Sequence, residues 1–285
     1  MFTGSIHEID SSITQLQGLL FIFPRSNLYR PITALSLGVK ELQRHSLSSQ
    51  REDLDKAIVH LTESIILSPL SWLQRGPIIL AALFSLATAL FLRSILFEQP
   101  EDAICATKYL FHLRDQPHEI PSFSRYQVTA LLVRALASQV CLEAGNAMQN
   151  IREMAVLSRE LLETSDAVDP TFFIVLIHSA VDSKIRPAVL GQPLDELIEF
   201  SLVAKKRRPD LLEGRMTFAR SLVCRYIMTC QDHDYEEATA ILDDIITYRS
   251  PWNSQDEFAA KARADATGLV TGLATMRSIV YQTPV

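Results

Sequence analysis

The chain has 285 residues, enough to bury the core of one or two domains, and its 48% apolar and 21% charged shares are those of an ordinary globular protein. Nine glycines are few for the turn-dense all-β classes, and period-two runs of β-branched residues are rare. The net charge of −6 argues against a nucleic-acid surface, which needs a basic excess to displace counterions.

Along the chain, apolar residues recur at i, i+3, i+4 and i+7, the signature of amphipathic helices. The helices repeat. Anchors at Ile9, Leu54, Ala103, Ile151, Leu194 and Tyr235 lie 45, 49, 48, 43 and 41 residues apart. Three residues after each anchor stand Ser12, Ala57, Ala106, Met154, Leu197 and Ala238. Seven after stand Leu16, Leu61, Leu110, Ser158, Ser201 and Leu242. These offsets share one helical face, that of the second helix of a hairpin.

The first helix of each hairpin shows small residues sixteen before the anchor: Gly38, Ala87, Ala135 and Ala219, with His178 in the fifth copy. Large residues stand beside them at Leu37, Leu86, Ile177 and Phe218, and Arg134 interrupts that column. Shared offsets on both sides predict a turn of near-constant length within each hairpin. Prolines at 24, 69, 117, 121, 170, 209 and 251 fall between hairpins, where the spacing varies.

The expected architecture is all-α, a right-handed superhelix of antiparallel hairpins with about twelve helices or more, because each repeat needs its neighbours to close its core. A single array spans 1–285, with its C-terminal repeat incomplete: "RSILFEQP" at 93–100 recurs as "RSIVYQTP" at 277–284. The apolar run from Ile78 to Leu92 would span only about 22 Å as helix, short of a hydrocarbon core, and is read as a buried helix. Cys105, Cys141, Cys224 and Cys230 form no CxxC pair, and the N-terminus carries no secretory signal, so a cytoplasmic protein with reduced thiols is expected.

Ten residues before the anchors stand Arg44, Arg93, Cys141, Lys184 and Arg225, and Arg277 fits the same place. The favoured reading is structural: a cation near the helix C-terminus pairs with acids that open the second helix, such as Asp53, Asp102 and Asp234, each exposed contact worth about 0.3–1 kcal/mol. The functional reading is a basic ladder for an acidic peptide. Arg44, Arg93, Arg134, Lys184 and Arg225 are therefore the candidate partner-binding residues. The basic run Lys205 to Arg208, before Pro209, reads as a helix end ahead of an import signal. Trp72 and Trp252 read as junction residues ahead of partner anchors. No HExxH, GxSxG or phosphate-cradling glycine loop is present, and Asp232, His233 and Asp234, being adjacent, do not converge on one ion. No catalytic residue, metal or cofactor is expected.

The register is similar to that of tetratricopeptide-like repeats, though longer than their usual unit of about 34 residues. Through "REDLDKAIVHL", "EQPEDAICATKYLFHLRDQP", "CLEAGNAMQNIREMAVLSRELL" and "DHDYEEATAILDDII", the chain more closely resembles the expanded repeat region of fungal proteins that carry a CHAT domain, a caspase-like peptidase module. That resemblance spans Ile6 to Pro284. It implies a non-catalytic scaffold that binds a protein or peptide along the concave face lined by its first helices; the net charge and the short apolar run add the expectation of no nucleic acid and no membrane. Its alternative is the regulatory part of a CHAT-type peptidase whose catalytic His and Cys belong to a separate α/β domain; peptidase activity transfers to no residue of this chain.

Overall fold

The columns read from the sequence become buried helix faces. In the computed structural model, residues 5–68, 76–115, 124–164, 169–184, 194–247 and 257–282 are described. Among them are twelve helices and no strand. They are α1 (Ile6–Ile22), α2 (Arg30–Ser48), α3 (Arg51–Leu67), α4 (Pro77–Phe97), α5 (Pro100–Arg114), α6 (Arg125–Cys141), α7 (Ala147–Thr164), α8 (Thr171–Lys184), α9 (Leu194–Arg207), α10 (Leu212–Thr229), α11 (Asp232–Thr247) and α12 (Glu257–Gln282). The chain forms two compact units, 1–145 and 146–285.

In the first unit each helix packs on the next, and the first helices α2, α4 and α6 also touch in turn. Starts are encoded locally. Ser5 and Ser124 make capping boxes with Glu8 and Gln127, and Pro31, Pro77 and Pro100 occupy the first two positions of α2, α4 and α5. The α2–α3 and α4–α5 turns have two residues each. Ser49 and Glu98 take the left-handed conformation (φ 55° and 52°), and Gln50 and Gln99 follow in extended conformation.

The small column sets the helix spacing. A methyl group at Gly38 would lie 2.6 Å from Leu61 Cγ and 3.2 Å from the Ala57 carbonyl oxygen, so α2 rests almost directly on the backbone of α3. Ala87 and Ala135 occupy the same column fully buried, and the second-helix anchors Leu54 and Ala103 are fully buried as well.

Helix α4 corrects one sequence argument. It runs 21 residues, about 31 Å at 1.5 Å per residue, and is long and apolar enough to cross a membrane by length and composition. Half of its most apolar window is buried inside the first unit, where it packs on α2, α3, α5 and α6.

In the second unit α10, α11 and α12 follow the same scheme around Phe218, Leu222, Tyr226, Leu242 and Ile245. The α10–α11 turn repeats the earlier geometry, with Cys230 left-handed (φ 54°) ahead of Gln231. Its first helices α8 and α10 touch, but here two second helices, α7 and α9, also pack directly. In their shared column Ser158 and Ser201 replace the leucine of the other copies, and both hydroxyls are buried without a hydrogen-bond partner.

The expectation of a constant turn therefore holds for three hairpins. Between α6 and α7, which belong to different units, α6 stops four residues early and residues 142–146 connect the two helices, with Glu143 and Gly145 at positive φ. The path length in residues is unchanged, so the columns stay in register. Pro24, Pro170 and Pro209 lie in connections as read from the sequence. Pro69, Pro117, Pro121, Pro251, Trp72 and Trp252 lie outside the described residues.

Candidate interaction surface

The residues singled out at the ends of the first helices are engaged by carboxylates. Arg44 Nε and Nη2 donate to Asp53 Oδ1 at 2.9 and 2.6 Å, and Nη1 donates to Asp10 at 3.2 Å. Arg93 Nε and Nη2 donate to the two oxygens of Asp102 at 2.6 and 2.9 Å, and Nη1 donates to Asp55 at 2.7 Å. Arg225 Nε and Nη2 donate to the two oxygens of Asp234 at 2.8 and 2.6 Å, with Asp195 3.8 Å from Nη1.

The three sets share one register. The inner acid lies nine residues after the arginine, at the start of its own second helix. The outer acid lies one residue after the preceding anchor, on the preceding second helix. The inner carboxylates are only 4%, 12% and 0% exposed, whereas the outer ones face solvent. Burial opposes the charge on Arg44, but its hydrogen bonds to Asp53 and Asp10 outweigh that and hold the guanidinium above its ordinary pKa. Hydrogen bonding to Asp102 raises Arg93, and hydrogen bonding to Asp234 raises Arg225, each against a desolvation penalty.

The arrangement is that of the structural reading, with one change of magnitude. The inner contacts are bidentate or forked and nearly buried, so removing one partner would strand a charge and cost more than the loss of an exposed pair. Arg44 and Arg225 each face two carboxylates, and in the Arg93 set Asp55 also lies 3.6 Å from Arg51. Arg277 departs from the scheme. It lies 3.6 Å from Asp232, and its guanidinium sits 4.2 Å over the Tyr235 ring.

Arg134 is exposed on α6, with its guanidinium 5.1 Å over the Phe91 ring. The side chain of Lys184 lies outside the described residues. Lys205, Lys206 and Arg207 form the last turn of α9. Lys205 sits over the Phe218 ring, Arg207 donates to the Leu162 carbonyl, and Arg208 pairs with Asp210. His178 Nδ1 lies 3.0 Å from Thr217 Oγ1. Asp234 is buried in its clasp while His233 is exposed, and no described group of His, Cys, Asp or Glu is arranged to hold a metal. Cys224 is buried, which pushes its thiol up to about 11; Cys105, Cys141 and Cys230 are exposed.

Two open grooves lie in the first unit. One runs between the first helices α2 and α4, lined by Leu35, Val39, Ala81 and Phe84, with Ser36, Ser85 and Lys40 as polar neighbours. All seven are half-buried. The other lies on the second helix α3, where Ile58, Val59, Ile66 and Leu67 form an apolar floor beside Arg25, Thr62 and Glu63. Val59 and Ile66 are strongly exposed there.

No family model, no curated protein and no solved structure matches this chain.

Proposed function

We propose that the chain is a helical-repeat binding module that holds a protein or peptide across the first helices α2, α4 and α6 of the first unit and performs no turnover of its own. The observation that carries this reading is the groove between α2 and α4. Its apolar floor is interrupted by two serine hydroxyls and a lysine, a lining that suits an extended peptide with apolar side chains and free backbone polar groups. The arginines at the helix ends act as architecture beneath that surface; Arg134, exposed in the same row of helices, is a candidate contact.

The test is selection of peptides from a random library against the full chain, followed by Ser85→Arg and Ser36→Arg, which fill the groove from half-exposed positions. Selected peptides should bind the wild-type chain and lose at least about tenfold in affinity to either variant at unchanged melting temperature, a loss of about 1.4 kcal/mol. Binding that survives both variants and is lost in Ile66→Lys would move the site to α3. Failure to select any peptide would remove the reading.

A further inference from the structure

The clasp has a property that ordinary surface ion pairs lack: one guanidinium touches two successive repeats. We propose that each arginine clasp is a coupling device, locking a second helix to the second helix of the preceding hairpin so that the two open together. Arg44 joins α3 to α1 and Arg93 joins α5 to α3 by hydrogen bonds, and Arg225, forked to Asp234 of α11, approaches Asp195 of α9 at 3.8 Å.

The geometry supports division of labour within the clasp. The inner acid is buried and forked to the arginine, so it fixes the direction of the guanidinium and has no solvent alternative. The remaining Nη1 is thereby aimed outward at the preceding helix, and its acid meets it with no further ordering of the arginine. An exposed pair ordinarily gains little because two long side chains must be held still. Here that cost is already met by the buried half.

The sequence carries an independent mark of the same unit. Where the arginine is missing, both acids are missing. Cys141 goes with Asn150 and Ile104 in the fourth repeat, and Lys184 goes with Pro193 and Arg152 in the fifth. Three positions distant in the chain change together twice, as expected if they serve one purpose. In the fifth repeat the link between second helices takes another form: Arg152 Nε donates to Glu196 at 2.7 Å, and Arg159 pairs with Glu199.

The test is native-state hydrogen exchange on the full chain with Asp10→Asn and Asp55→Asn, both on solvent-facing side chains. Coupling predicts that Asp10→Asn speeds exchange in α1 by about 3–10-fold while α3 is unchanged; Asp55→Asn, which also removes the 3.6 Å pair to Arg51 within α3, should leave α5 unchanged. In 1 M salt, where the screening length falls to about 3 Å, wild type and variants should converge. An equal change in both helices of a pair would mean general loss of stability and would overturn the proposal. No change in either helix would overturn it as well.

Discussion

Gly38→Ala should destabilise the protein, although the same change in a helix interior normally helps. Alanine has the higher helix propensity by about 1 kcal/mol. Against this, the new methyl would lie 2.6 Å from Leu61 Cγ, 3.0 Å from Leu61 Cδ2 and 3.2 Å from the Ala57 carbonyl oxygen. Leu61 is fully buried and the carbonyl belongs to α3, so relief requires moving one helix off the other. Overpacking of this kind costs about 1–3 kcal/mol, enough to cancel the propensity gain and leave a net loss of up to about 2 kcal/mol. Urea unfolding followed by circular dichroism measures it. The control is Gly18→Ala, where nothing lies within 4 Å of the added methyl, and which should gain up to about 1 kcal/mol. Opposite signs for one substitution at two helical glycines are the expected result. A stabilised Gly38→Ala would mean that α2 and α3 are not in this contact.

Ser158→Ala and Ser201→Ala each remove a buried hydroxyl that has no partner and should be neutral or stabilising by up to about 1 kcal/mol in the same assay. Cys230→Gly relieves a left-handed non-glycine residue and should stabilise by about 0.5–1 kcal/mol, while Cys230→Val should lower stability. Titration of the native protein with a thiol reagent near pH 8 should show Cys105, Cys141 and Cys230 reacting fast and Cys224, whose thiol is pushed up to about 11, reacting only on unfolding.

Most of the helical framework was legible because one physical requirement repeats: a close helix contact needs a small residue at the same place, and four of the five copies have one. Gly38, Ala87, Ala135 and Ala219 therefore stand out without any structure. Half of each clasp was legible for a similar reason, since Arg44 and Asp53 lie on adjoining helices of one hairpin at a fixed spacing. The outer acids were not, because Asp10, Asp55 and Asp195 are recognisable only once the neighbouring second helix is known. Backbone geometry hid as well. Ser49, Glu98 and Cys230 share a left-handed conformation that none of their types announces, although the glutamine after each was a usable signal. Glu41 is a further case: a carboxylate fully buried in α2, with Oε2 2.8 Å from His60 Nδ1, at a place where helical periodicity alone offers no reason for a charge.

Hydrogen exchange mapped along the full chain tests the repeat architecture most directly. Protected blocks should coincide with α1 to α7 and α9 to α11, each first-to-second-helix block ending with its capping amide (Ser49, Glu98, Ala144 and Cys230), and broken by fast exchange at the exposed Gln50, Gly145, Asn146 and Gln231 just beyond. Protection running unbroken through those turns, or fast exchange in the middle of α3, α5 or α10, would contradict the hairpin assignment on which the clasps and the groove depend.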